Sequence, residues 1–89
     1  MNTYTVEFFS ACPLNGVRIK YTLKISTGAV IPVEQILAAV DALADAFHEE
    51  LADHLQERFG GSQTLTADHH GVRIETIRPH LAHWSPITG

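Results

Sequence analysis

Apolar residues recur with two different periods along this chain, and the longest periodic stretch lies between residues 32 and 59. In this stretch they return every three or four residues, which places them on one face of an α-helix. Pro32 suits the first helical turn, and Gly60-Gly61 supply a stop signal after Phe59. The pattern predicts one long amphipathic helix, with a buried face of Val33, Ile36, Val40, Leu43, Phe47, Leu51 and Leu55.

The rest of the chain shows the two-residue alternation that is typical of half-buried β-strands. The predicted strands are residues 3–10, 17–25, 62–67 and 72–78. Asn15-Gly16 and the segment 68–71 are turn signals between the members of each strand pair. Ile77 falls out of the alternation, which predicts a bulge or the end of the last strand at that position.

These elements predict an α+β domain with the order ββαββ, in which a four-stranded antiparallel sheet carries one long amphipathic helix packed on one face. We assign residues 1–79 to this single domain and residues 80–89, with Trp84, to a C-terminal tail. If the helix makes a single pass along the sheet, the third strand runs parallel to the second. A fully antiparallel sheet then requires the spatial order 2-1-3-4 or 1-2-4-3.

Charge is spread unevenly, since the chain has ten acidic and six Lys or Arg residues and most of the acids lie in the helical stretch. Five carboxylates recur there at four-residue spacing, opposite the apolar face: Asp41, Asp45, Glu49, Asp53 and Glu57. Like charges at this spacing destabilise a helix, so we interpret the row as a binding surface for a basic partner, with a merely solvated face as the alternative. On this interpretation, Asp45→Lys with Glu49→Lys leaves the fold intact or slightly more stable.

The predicted open face of the sheet carries a second charged surface, whose cations are Arg18, Lys20, Lys24 and Arg73. Phe9 is a candidate for stacking on a nucleic-acid base. The net charge of −4 opposes binding to a polyanion. Nucleic-acid binding is therefore kept as an alternative function of this face.

Residues with catalytic or metal-binding chemistry are sparse. Six histidines raise the question of a metal site, but no H-E-x-x-H or paired C-x-x-C motif supports one, so we predict no metal and no cofactor. His54 falls on the apolar helix face and is interpreted as a core histidine. Cys12 is the one cysteine, which excludes an internal disulfide, and nothing near it in the sequence supplies a base. We therefore assign no catalytic residue.

A short resemblance to a known family adds a further alternative. The ββ–helix–ββ order, Phe9-Ser10-Ala11 and the segment Val72-Arg73-Ile74-Glu75-Thr76 resemble tunnelling-fold pterin enzymes. The resemblance implies a related fold and a small metal-dependent or pterin-type enzyme. Those enzymes hold zinc with histidines of the first half, including a His-Gly-His element. The corresponding stretch here is Asn15-Gly16-Val17, which counts against that activity.

The main functional prediction is a small non-enzymatic protein-binding module, an inhibitor or adaptor that docks its acidic helix on a basic partner surface. Inhibitors of this kind are encoded by phages and mobile elements, as anti-CRISPR proteins are. The small size of the domain favours a homodimer. No basic segment followed by an apolar run and no membrane-spanning stretch occurs in the sequence, so we place the protein in the cytoplasm.

Overall fold

The computed structural model describes residues 1–43 and 45–80. Within these ranges the chain forms a four-stranded antiparallel sheet and two helices, which confirms the α+β class and the antiparallel sheet. The elements are β1 (Asn2–Ala11), β2 (Arg18–Thr27), α1 (Val33–Ala42), α2 (His48–Phe59), β3 (Ser62–His69) and β4 (Val72–Arg78). The predicted tail, residues 80–89, lies outside the described residues except for His80. The assignment of residues 1–79 to one domain stays a prediction.

The prediction of one long helix is wrong, because the chain leaves the helical conformation after α1 and re-enters it at α2. At the end of α1, the Leu43 N–H bonds the Val40 carbonyl at 3.2 Å, which is the tighter turn common at helix ends. At the start of α2, the Glu50 carboxylate accepts the Phe47 N–H at 3.0 Å and caps the new helix. These two local arrangements divide the helical stretch.

The strand order is β1-β2-β3-β4, so both predicted orders are wrong. The two helices run along the sheet and back, and β3 therefore starts beside the end of β2, where Ser62 pairs with Ser26. Because the chain returns to the end of the sheet from which it left, β2 and β3 become antiparallel neighbours and no crossover is needed. The predicted strand orders were wrong because they assumed that one helix makes a single pass along the sheet.

Both helices pack on one face of the sheet, and the core lies between them and the strands. α1 contacts β1, whereas α2 contacts β3 and β4. The most deeply buried large side chains are Tyr21, Leu23, Ile25, Leu51, Leu55 and Leu65. Val33 and Phe47, predicted on the buried helix face, are exposed because they stand at the first residue of α1 and at the cap of α2.

β4 pairs with β3 in a regular register along its whole length, so the irregularity predicted at Ile77 is wrong. Ile77 lies opposite Thr64, and its side chain is exposed on the open face of the sheet. Its position therefore reflects an apolar residue that faces outward on an edge strand, with the alternation of the strand intact.

The predicted stop after the second half of the helical stretch is confirmed. Gly60 and Gly61 have φ angles of 65° and 70°, a region that residues with side chains rarely adopt, and the Gly60 N–H bonds the Gln56 carbonyl at 2.8 Å. In the part of the chain that the structure describes, neither helix has the length and apolar character needed to span a membrane.

Candidate active site

Cys12 begins the loop that joins β1 to β2, and the loop fixes its backbone. The Cys12 N–H bonds the Val17 carbonyl at 2.9 Å, and the Cys12 carbonyl accepts the Gly16 N–H at 2.8 Å. The Asn15 side chain closes the turn by accepting the Val17 N–H at 3.0 Å. Cys12 is half-buried against the core, so the loop gives its thiol a defined place.

The connection between α1 and α2 lies over the end of β1, next to Cys12. Ser10 is 2% exposed, and its hydroxyl donates to the Leu43 carbonyl at 2.9 Å. One residue further, Ala11 forms a parallel bridge with Asp45. Strand alternation places Ser10 and Cys12 on the helix-covered face of the sheet. The helix connection therefore holds the strand end from which Cys12 follows.

Tyr21 is the central aromatic residue in the part of the core near the end of β1. It is 1% exposed and stacks on Phe8 with ring centroids 5.3 Å apart. Its ring lies 5.4 Å from that of His48 and 6.1 Å from that of His69. Burial raises the pKa of the Tyr21 hydroxyl, and the charge of Cys12 raises it further. Tyr21 therefore packs against both histidine rings inside the core.

His48, the first residue of α2, and His69, the last residue of β3, form a pair. His48 Nδ1 lies 3.3 Å from His69 Nε2, and His48 Nε2 lies 3.2 Å from the Leu65 carbonyl oxygen. Burial lowers the pKa of His48, and the neighbouring His69 lowers it further, against the opposing effects of the Leu65 bond and Glu49. His48 is therefore held neutral at neutral pH.

A groove of about 840 Å³ runs between α1 and the free edge of β1. Its lining includes Phe9, which is 50% exposed, and Arg18, whose guanidinium lies 4.5 Å from the Phe9 ring centroid. Asp41 and Asp45 supply carboxylates on the helix side, and the groove reaches Ala11, the residue before Cys12. The groove thus offers an aromatic surface, a cation and two acceptors beside the thiol-bearing loop.

The five predicted partner-binding carboxylates do not form a single row. They are divided between α1 (Asp41), the connection (Asp45) and α2 (Glu49, Asp53 and Glu57). Arg78 of β4 also binds two of them, Asp53 at 2.9 Å and Glu49 at 3.2 Å. The mutual repulsion inferred from the sequence is therefore relieved within the chain. A contact of these carboxylates with a partner protein stays a prediction.

The cations predicted on the open face of the sheet are exposed there: Arg18, Lys20, Lys24 and Arg73. Acidic residues neutralise part of this positive charge. Lys20 Nζ lies 3.3 Å from Glu7, and Arg73 lies opposite Asp68 on the neighbouring strand. The structure thus explains how these cations are accommodated on the sheet. Nucleic-acid binding by this face stays an untested alternative.

The histidines do not match the prediction made for them. His54, predicted as a core histidine, is exposed on α2, and His48 is the buried one. Within residues 1–43 and 45–80, no three His, Cys, Asp or Glu side chains converge closely enough to hold a metal ion. The zinc of tunnelling-fold pterin enzymes does not fit the donors of this chain, because Asn15 and Val17 stand in the corresponding stretch and carry no imidazole.

Comparison with known proteins shows a likeness in fold to a solved structure. No family model matches the chain, and no curated protein matches it. A crystal structure of an archaeosine synthase, QueF-like, in the apo form is similar to it. This chain shares the fold of that protein. The likeness covers 86% of this chain and 89% of the archaeosine synthase chain, with a TM-score of 0.75 and 22% sequence identity, and at that identity it shows the fold alone.

This likeness corrects the main functional prediction. The sequence predicted a non-enzymatic inhibitor or adaptor, whereas the solved protein that shares the fold is an archaeosine synthase. The pterin-type enzyme, an alternative at the sequence level, fits this finding better. The prediction failed because it relied on a continuous acidic row, and the break between α1 and α2 divides that row.

Sequence reasoning missed the His48–His69 pair and the inward position of Cys12, although part of the signal was present. Cys12 continues the inward alternation of β1, and His69 continues the inward alternation of β3. Both therefore belong on the face that the helices cover. His48 could not be placed, since its position depends on where α2 begins.

Proposed function

We propose that this protein is an enzyme that acts on a purine-like or pterin-like base through Cys12. The groove beside β1 carries the proposal, because it places an aromatic ring, a cation and two carboxylates next to the Cys12 loop. The shared fold with an archaeosine synthase supports an enzyme. The resemblance of Phe9-Ser10-Ala11 to pterin enzymes supports the same class of planar heterocycle.

A cysteine nucleophile requires a fixed position and a nearby group that takes its proton. The hairpin loop gives Cys12 its position, and the carboxylates of Asp41 and Asp45 line the groove that reaches the preceding residue, Ala11. The thiolate attacks an electrophilic carbon of the base, a C–S bond forms, and the displaced electron pair moves to the neighbouring atom, which gains a proton. Tyr21 stays protonated at neutral pH, because burial raises its pKa.

The groove beside β1 gives a binding surface for the base. A planar heterocycle can stack on Phe9 and the Arg18 guanidinium. Guanine and pterin present a ring N–H next to an exocyclic amino group, and one carboxylate accepts both hydrogens. Asp41 and Asp45 offer such carboxylates in the groove. Since the groove reaches Ala11, a base bound in it lies next to the Cys12 loop.

Isothermal titration calorimetry with guanosine and neopterin, compared with adenosine, tests this class of substrate. We expect the first two to bind at least about tenfold more tightly, because adenosine lacks the paired N–H donors. Asp45→Asn should weaken the binding of guanosine. Glu57→Gln, an exposed change on α2 outside the groove, is the control and should have no effect. Equal affinity for all three nucleosides would contradict the proposal.

Labelling of Cys12 with iodoacetamide, followed by intact-mass spectrometry, tests the nucleophile. The chain has one cysteine, so one added carbamidomethyl group reports on this thiol alone. Bound guanosine should slow the labelling, and Cys12→Ala should bind guanosine without being labelled. An assay for archaeosine synthesis tests turnover directly. A protein that makes no archaeosine, and whose thiol is labelled equally fast with and without guanosine, is not the proposed enzyme.

A further inference from the structure

We infer that Ser10 and Glu50 are positioning residues, which keep the helical stretch broken and so hold Asp45 in the groove beside β1. The inference rests on the proposed function, because Asp45 is one of the carboxylates assigned to bind the base. Two hydrogen bonds carry it. The Ser10 hydroxyl donates to the Leu43 carbonyl at 2.9 Å. The Phe47 N–H donates to the Glu50 carboxylate at 3.0 Å.

The two backbone groups in these bonds are the ones that an uninterrupted helix would join. In an α-helix each N–H bonds the carbonyl four residues earlier, so the Phe47 N–H would bond the Leu43 carbonyl. Here each group has its partner elsewhere, the carbonyl in Ser10 of β1 and the N–H in Glu50 of α2. The two side chains therefore replace the hydrogen bond that would close the break.

Burial of Ser10 makes its bond to the Leu43 carbonyl important. Ser10 is 2% exposed, so its hydroxyl is shielded from water and has to be paired inside the protein. Leu43 caps the C-terminal end of α1, where carbonyls have no partner within the helix. Removal of the hydroxyl frees this carbonyl to pair with the Phe47 N–H, as in a continuous helix.

The break determines where the Asp45 carboxylate lies. Asp45 forms a parallel bridge with Ala11, the residue after Ser10, and lines the groove. If the helix continued, the Asp45 N–H would instead bond the Asp41 carbonyl, and the bridge would be lost. Asp41 belongs to α1 and keeps its place in either case. Of the two carboxylates in the groove, Asp45 is therefore the one that depends on the break.

Backbone NMR of the labelled protein tests the break, and no substrate is needed. In the wild type we expect an NOE between backbone protons of Ala11 and Asp45, and a non-helical Cα shift at Asp45. In Ser10→Ala with Glu50→Ala, the NOE should be lost and the shift should move towards the helical value. Glu57→Ala leaves both bonds in place, so this control should keep the wild-type signals. A double variant with an unchanged NOE and shift would overturn the inference.

Guanosine affinity, measured by isothermal titration calorimetry, tests the positioning of the carboxylate. Ser10→Ala should weaken binding by about threefold or more, because a displaced carboxylate loses its hydrogen bonds to the base. In the Asp45→Ala background the same change should have little further effect, since the group that it displaces is absent. In the Asp41→Ala background it should keep its full effect. A general loss of stability would weaken binding in both backgrounds.

Glu50→Gln is the conservative variant for the second bond. Glutamine keeps a side-chain oxygen that accepts the Phe47 N–H, whereas alanine does not. Guanosine should therefore bind to Glu50→Gln with nearly wild-type affinity, and to Glu50→Ala about threefold or more weakly. Equal losses in the two variants would overturn the positioning role of Glu50. Thermal unfolding identifies any variant that binds weakly because it has lost the fold.

The outcomes separate this inference from the proposed function. If the double variant keeps the wild-type NMR signals while guanosine binds to the wild type, the inference fails and the proposed function stands. If Ser10→Ala weakens binding equally in the two aspartate backgrounds, the positioning role of Ser10 is wrong. If the NMR signals change as expected but guanosine does not bind to the wild type, the proposed function fails, and Ser10 and Glu50 keep their role in holding the break.

Discussion

Arg78 donates two hydrogen bonds to a single oxygen of Asp53, from Nε at 3.1 Å and from Nη2 at 2.9 Å, and so joins β4 to α2. Glu49, one helical turn earlier, accepts a further bond from Nη2 at 3.2 Å. The hydrogen bond to Asp53 is the main cause of a raised pKa of Arg78. Two carboxylates that repel each other in the isolated helix are therefore held by one guanidinium from the sheet.

Arg78→Ala is expected to lower the free energy of unfolding by about 0.2–1 kcal/mol, which is the range for an exposed ion pair. Glu49→Lys should also lower stability, because it removes one acceptor and adds a cation beside Arg78. This reverses the expectation from the sequence that lysine at this position is harmless. Thermal unfolding at low and high salt measures the effect, and the loss should shrink as salt increases.

Glu57→Lys is the control for this ion-pair network. Glu57 lies on the same helix, and a cation near the C-terminal end of a helix is favoured, so stability should be unchanged or slightly higher. If Arg78→Ala unfolds at the wild-type temperature in low salt, the network contributes nothing measurable and the acidic residues are only solvated.

The sheet was predictable from the sequence because each strand has one face in the core and one in water. The alternation from Ile19 to Ile25 gives the inward face of β2, and the turn residues around Gly16 and Gly71 give the hairpins. The order of the strands was not predictable in the same way. It depends on whether the chain makes one pass or two between β2 and β3, and the strands themselves carry no signal for that.

The break between the helices was hidden because the apolar spacing continues across it. Leu43 and Phe47 are four residues apart and keep the period of a helix, although neither lies inside one. Capping of Phe47 by Glu50 is a local signal for the start of α2, but the same residues fit a helix interior. The contact between His48 and His69 was not predictable for the same reason. His48 reaches His69 only because α2 begins at His48 and runs back along the sheet.

The stability of the fold should depend on pH through His48. Burial, and secondly His69, lowers its pKa from the ordinary value of 6.5. Between the folded and unfolded pKa values, the unfolded chain binds more protons than the folded one, so stability decreases as the pH falls. We expect the contribution of His48 to be complete above about pH 6.5 and to be lost progressively below it.

Urea unfolding at several pH values between about 5 and 8, the range in which histidine titrates, measures this dependence. The wild type should lose stability steadily as the pH falls through this range, because the pKa of His48 is lower in the folded chain. His48→Gln should flatten the curve because glutamine does not titrate. His54→Gln should keep the wild-type slope. A slope that is unchanged in His48→Gln would assign the pH dependence to other groups.

Gly61 stands where the chain passes from α2 to β3, and a side chain does not fit there. A Cβ atom would lie 2.7 Å from the Ser26 carbonyl oxygen and 3.0 Å from Thr27 Cβ, and the φ angle is 70°. Gly61→Ala should therefore lower the free energy of unfolding by at least about 2 kcal/mol. Gly28→Ala, with no atom within 4 Å of the added Cβ, should change it by less than about 0.5 kcal/mol. Similar unfolding midpoints for the two variants in urea would show that the β2–β3 approach relaxes easily.

The predicted self-association remains a prediction, and the order β1-β2-β3-β4 gives it two candidate surfaces. Among the strands of residues 1–43 and 45–80, β1 and β4 are the edges of the sheet, and β4 exposes Val72 and Ile77 at 63% and 62%. Exposed apolar residues on an unpaired edge favour pairing with another chain. Because the strands alternate in direction, β4 of one copy placed beside β1 of another continues the antiparallel pattern.

We therefore expect the protein to sediment as an oligomer at tens of micromolar, and Val72→Lys to shift it towards the monomer, because a charge on an edge strand opposes edge-to-edge pairing. Leu14→Lys is the matched control, since Leu14 is 82% exposed in the β1–β2 loop and lies on neither edge. Sedimentation equilibrium distinguishes two kinds of oligomer by their mass. One is a homodimer in which the same edge strand of both copies pairs. The other is a ring in which β1 of each copy pairs with β4 of its neighbour. A wild-type monomer at this concentration would refute self-association, and equal dissociation by both lysine variants would refute the role of the β4 edge.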